Sequence, residues 1–139
     1  MKNRIKEEIV KCLDGTESYV SFIQLENYLK QKGLPYEGEY SVHIPGHPTI
    51  MMWQGLSQDF ARAILELIFE DFEIVPTYVS QSLYTLEGKE INLPIAEHLH
   101  YEDMIKRWAP VMFKRTSPYK SNLGSTTIAC DSSNKILLT

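Results

Sequence analysis

The sequence predicts an α+β fold. Apolar residues recur at helical spacing in three separate segments within the first 72 residues, and between and after those segments the period changes to two. At 139 residues, 43% apolar and 23% charged, the chain can bury a core of its own. Residues 1–116 read as one globular domain. Residues 117–139 are rich in Ser, Thr and Asn and read as a loosely attached tail or an added strand.

Helix one covers residues 4–13, where Ile5, Ile9, Cys12 and Leu13 fall at i, i+4, i+7 and i+8 and Gly15 follows as a stop. Helix two starts at Ser21, which forms a capping-box pair with Gln24, and carries Phe22, Leu25 and Leu29 on one face until Gly33 and Pro35. From residue 39 to 53, Tyr40, Val42 and Ile44 alternate with Glu39, Ser41 and His43, and a turn at Pro45-Gly46-His47-Pro48 closes a hairpin. Helix three is capped by Ser57. Its apolar residues from Phe60 to Phe72 cover roughly 240° of the circumference, leaving Asp59, Arg62, Glu66 and Glu70 as a narrow polar stripe. A helix so widely apolar must be covered on two sides, by its own domain or by a second subunit.

Strand-like runs are predicted at residues 73–80, 83–86 and 90–93, the last two joined around Gly88, with Pro76 marking the first run as an edge strand or a bulge. A C-terminal helix is predicted from Tyr101, Met104, Ile105 and Trp108, supported by the i,i+4 pairs Glu102–Lys106 and Asp103–Arg107 and ended by Pro110. Short apolar pieces stand at 127–129 and 136–138. There is no internal repeat.

Three helices followed by a hairpin is the element order of a winged helix-turn-helix domain, and residues 4–94 resemble that topology. The resemblance implies a three-helix core with β-hairpins and, in DNA-reading members, a third helix that meets the duplex. Here the third helix exposes one Arg among three acids, so the resemblance does not extend to a reading head. About twenty residues with their own hairpin also separate helices two and three, where such domains use a short turn.

The segment MKNRIKEEIV alternates charged and apolar residues and has no signal-peptide core, and the most apolar window, residues 61–72, is interrupted by charges. These features predict a cytoplasmic chain without membrane contact, in which Cys12 and Cys130 are buried small hydrophobes and not a disulfide. A net charge of -4 excludes a strongly basic nucleic-acid binder. The charge is nevertheless uneven, with 8 basic and 17 acidic side chains over residues 1–103 against 6 and 1 over 104–139. In the second stretch Lys106, Arg107, Trp108, Phe113, Lys114, Arg115, Tyr119 and Lys120 interleave cations with aromatics, as phosphate contacts and base stacking require. The competing reading is that these cations dock on the acidic body of the same molecule or a neighbour.

All four histidines come in pairs: His43 with His47 across the hairpin turn, and His98 with His100 beside Glu97, Glu102 and Asp103. Imidazole and carboxylate suit zinc or another transition metal, although the spacing matches no established ligand motif and surface histidines are the plainer reading. No nucleophile elbow, phosphate-binding Gly-rich loop or H-E-x-x-H motif is present, and no cofactor is expected. The sequence therefore points first to a small non-enzymatic interaction module acting through protein contacts. A homodimer is expected through Leu65, Phe69 and Phe72 or through the C-terminal segment. The second reading is a nucleic-acid-binding protein using residues 106–120, and the third a small metal-dependent enzyme using the histidine pairs.

Overall fold

The computed structural model describes residues 1–116. Tyr119, Lys120, Cys130 and the apolar pieces at 127–129 and 136–138 lie outside the described residues. The elements are α1 (Lys2–Asp14), β1 (Val20–Ser21), α2 (Phe22–Gln31), β2 (Glu37–Ile44), β3 (His47–Leu56), α3 (Gln58–Phe69), β4 (Ile74–Tyr78), α4 (Gln81–Leu86), β5 (Arg107–Trp108) and β6 (Val111–Arg115). The chain is α+β, with two three-stranded sheets ordered β1-β6-β4 and β2-β3-β5. The first is antiparallel, whereas in the second β5 runs parallel to β3.

Local chemistry sets the first half of the chain. The Ser21 hydroxyl accepts from the Gln24 amide and the Gln24 side chain accepts from the Ser21 amide, so two donors at the start of α2 are satisfied reciprocally. Ser57 likewise accepts from the Phe60 amide at the start of α3. Two residues, Pro45 and Gly46, separate β2 from β3, and Gly46 adopts φ +82, which a side chain would strain. Gly38 serves a different need: a Cβ there would stand 2.6 Å from the Leu56 carbonyl oxygen, so only glycine lets β2 approach the end of β3 this closely.

The apolar arc of α3 is filled from within. Phe60, Ala61, Ala63, Ile64, Leu67 and Ile68 are buried against α1, β2 and β4. Leu65 and Phe69 are half-buried against the same core, and only Phe72, just past the helix at φ 52, is exposed, at 38%. On the far side an aromatic hub joins the two sheets. Phe22 stacks on Trp53 at 5.8 Å, Trp53 meets Tyr84 at 4.9 Å and Trp108 at 5.9 Å, and Phe113 sets its edge to Phe22 at 5.0 Å. Within it the Tyr84 hydroxyl accepts from the Phe22 amide (3.0 Å) and donates to the Val111 carbonyl (2.6 Å). The Trp53 indole N–H is taken by Glu26 (2.9 Å) and that of Trp108 by the Met52 carbonyl (3.2 Å).

Two expectations from periodicity are corrected. The hairpin predicted over residues 83–93 is not formed: residues 81–86 are the helix α4, started by the Ser80 hydroxyl and followed by Gly88 at φ +89. The single demand that Tyr84 reach the hub outweighs the strand-like composition and leaves Leu83 and Leu86 exposed. The helix predicted over residues 101–108 is also absent. The Trp108 amide donates to Pro94 and its carbonyl accepts from Ala96, so its backbone groups belong to a strand bridge and its ring to the hub. Without the predicted hairpin after α3, the winged-helix resemblance is not confirmed. Pro76 does lie in an outer strand, β4.

Replacing Tyr84 with Phe keeps the ring and removes the hydroxyl, stranding a buried amide and a buried carbonyl. The expected loss is about 1–3 kcal/mol of unfolding free energy in urea titrations, and an unchanged midpoint would contradict this role.

Candidate functional site

Residues 97–107 form a loop whose ends meet. The Ala96 amide donates to the Trp108 carbonyl at 2.9 Å, which closes an Ω-loop, and Leu99 is its buried anchor. The rest is held by its own side chains. The Tyr101 hydroxyl accepts from the Glu97 amide at 2.9 Å. The Tyr101 ring is stacked by His98 at 4.0 Å and covered by the Arg107 guanidinium at 3.5 Å, separations that place the two on opposite faces. Arg107 then grips both oxygens of Asp103, at 2.8 and 3.1 Å, and Asp103 also accepts from the Ile105 amide. The Arg107 guanidinium first, and the Ile105 amide second, hold the Asp103 carboxyl below the usual range, and the same pair raises Arg107.

The loop lies over the tip of the β2–β3 hairpin. His100 meets His47 edge to face, with ring centroids 6.1 Å apart. The His98 Nδ1 accepts from the His100 amide at 3.1 Å, which assigns that nitrogen as unprotonated. His43 is pushed down by burial and then by the Lys106 ammonium, which sits within electrostatic reach. At the apex Met104 and Ile105 are 80% and 52% exposed, two adjacent apolar side chains in water on a loop otherwise braced from inside.

The structure distributes the sequence-predicted residues unevenly. The four histidines and Lys106, Arg107 and Trp108 do come together around the loop, but not in the roles foreseen. Trp108 is wholly buried and cannot stack on a base, and Arg107 is committed to Asp103 and Tyr101. In the other sheet, Arg115 is tied to Asp14 (2.9 Å) and to both the carboxylate and the carbonyl of Glu73. Lys106 and Lys114 are exposed, the latter with its ammonium 5.6 Å from the Tyr19 ring. Tyr119 and Lys120 lie outside the described residues. No group of three or more His, Cys, Asp or Glu converges as a metal-ligand set among the described residues.

A concavity of about 390 Å³ lies between α1 and the end of α3 and is lined by Lys6, Glu7, Val10, Lys11, Leu67, Asp71 and Glu73. Lys6 pairs with Glu66 and Asp71, at 3.0 and 2.6 Å, so two of its charges neutralise each other. No His or Cys lines it.

Sequence reasoning missed the loop because Tyr101, Met104, Ile105 and Trp108 have helical spacing. The signal that could have found it is Pro94 and Pro110 bracketing a short run with His98, Tyr101, Asp103 and Arg107, an i,i+4 ion pair that a loop serves equally well. No family model, no curated protein and no solved structure matches this chain. Among the described residues no helix is long and apolar enough to cross a membrane.

Arg107→Lys removes the two-pronged grip and the flat stacking surface while keeping the charge. Amide exchange over residues 98–106 is expected to accelerate while the global unfolding midpoint holds; unchanged exchange would show that the loop is braced by something else. Because Asp103 is depressed, its bracing is complete above the ordinary aspartate range near pH 4 and is lost as pH falls below it. Exchange over the loop, corrected for intrinsic rate, is expected to rise selectively on that side.

Proposed function

We propose that the protein is a cytoplasmic, non-enzymatic interaction module that holds another protein, or a second copy of itself, through the apex of the 97–107 loop. The observation that carries this reading is the exposure of Met104 and Ile105 side by side on a loop already ordered by the Asp103–Arg107–Tyr101–His98 stack. Apolar anchors on a preorganised support bind with little ordering cost, and Met adapts to irregular partner surfaces. The half-buried state of Leu65 and Phe69 makes α3 a weaker contact surface than the sequence suggests, with Phe72 its one exposed member. Nucleic-acid binding draws less support, since Arg107, Arg115 and Trp108 are already committed to intramolecular partners.

A photoreactive residue at position 104 is expected to give discrete crosslinked species in cells, reduced when Ile105→Asp is added. Crosslinks from position 72 and none from 104 would move the surface to the end of α3 and refute the loop. A fluorescence titration with a labelled duplex and a single strand at about 50 and about 200 mM salt is expected to show no saturable, salt-sensitive binding. Steep salt-sensitive binding would instead restore the nucleic-acid reading.

A further inference from the structure

The chain leaves β6 at the rim of the concavity between α1 and the end of α3. The Thr116 amide donates to the carbonyl of Glu73, which lines the concavity, and the neighbouring Arg115 holds that same Glu73 together with Asp14 at the end of α1. The Thr116 hydroxyl oxygen is buried without a hydrogen-bond partner among the described residues, a demand that the residues after it are placed to meet. Val10 of α1 and Leu67 of α3 give the concavity an apolar floor. Phe72, between the lining residues Asp71 and Glu73, is 38% exposed and held at φ 52, a left-handed backbone that bulky side chains rarely adopt and that working surfaces retain.

We propose that this concavity is filled by residues 135–138 of the same chain, Lys-Ile-Leu-Leu, which lie outside the described residues. The sequence of that segment complements the site. Ile136, Leu137 and Leu138 offer an apolar triplet to Val10 and Phe72, whereas Ile128 in the other apolar piece stands between Thr127 and Ala129. Lys135 meets an unanswered acid: the cations of α1 are engaged elsewhere, Lys2 and Lys6 by Glu66 and Asp71 and Arg4 and Lys11 by Glu8, which leaves the exposed Glu7 on the rim. Residues 117–139 carry Lys120 and Lys135 against Asp131, a net positive segment on a chain of net charge -4. The stretch 117–134 between Thr116 and Lys135 spans up to about 60 Å when extended, so reach is no obstacle. Covalent connection sets an effective concentration on the order of 1 mM, at which a segment with a dissociation constant of about 1 mM as a free peptide fills the site half of the time. The inference rests on none of the residues of the 97–107 loop and stands or falls apart from it.

A nitroxide on Cys130 of the full chain, with Cys12→Ser so that one thiol remains, tests it by NMR. Amide signals of residues 6–11 and 67–73 are expected to broaden. Leu137→Asp is expected to reduce that broadening severalfold and Ile128→Asp to leave it unchanged, with the signals of the buried Ile5 and Phe22 reporting that each variant is folded. A mixture of nitroxide-bearing chains and isotope-labelled chains is expected to show no broadening, since the segment fills the site of its own molecule. Broadening in that mixture, broadening centred outside α1 and the end of α3, an undisturbed spectrum, or broadening that survives Leu137→Asp would overturn the proposal.

Discussion

Tyr84 is the residue on which the arrangement of the two sheets depends: its ring packs on Trp53 of β3 and Trp108 of β5, and its hydroxyl is bonded on the side of the other sheet. The hydroxyl accepts the first amide of α2 and donates to the carbonyl of Val111 in β6, so one atom fixes the start of a helix against a strand far away in sequence. The donation to Val111 requires a protonated phenol, and deep burial raises the group's pKa, which keeps the proton in place. Around it Phe22, Trp53 and Trp108 close the hub, and each indole N–H has its own acceptor, Glu26 for one and the Met52 carbonyl for the other. The position of Trp108 is what closes the 97–107 loop, so the candidate site inherits its geometry from the hub.

Parts of the fold decided by neighbours in sequence are readable in the sequence. The capping box at Ser21, the cap at Ser57 and the Pro45-Gly46 turn are local devices, and α2, α3 and the hairpin stand where they place them. The same period-two logic fails at residues 81–86, where a helix of six residues is set by one long-range requirement, the burial of Tyr84. Helical-period logic fails in turn at 101–108, where the spacing coincides with a loop because Trp108 is claimed by the hub and Met104 and Ile105 are claimed by nothing within the described fold. Of the site residues, the sequence located the neighbourhood, since both histidine pairs and the 106–108 segment meet there. It did not reveal the roles, because stacking of Tyr101 between His98 and Arg107 is a matter of three-dimensional placement.

The uneven charge along the chain has an internal use. Arg115, in the basic stretch, joins Asp14 at the end of α1 to Glu73 just before β4, and Lys89 crosses to Glu26 beneath Trp53. Exposed pairs of this kind stabilise little individually. Their geometric effect is larger: they consume cations that a phosphate backbone would need and, among the described residues of the basic stretch, leave Lys106 in the loop and Lys114 in β6.

Pro76 sits in the middle of β4, opposite Phe113, on the outer rim of the described β1-β6-β4 sheet. It has no N–H to offer a visiting strand, so another chain laid along this rim would find its ladder interrupted at the centre. Growth of this sheet from molecule to molecule, the route by which exposed rims seed fibres, is blocked there by a single ring. At that position a visiting strand could be met only through side chains and not through a backbone ladder.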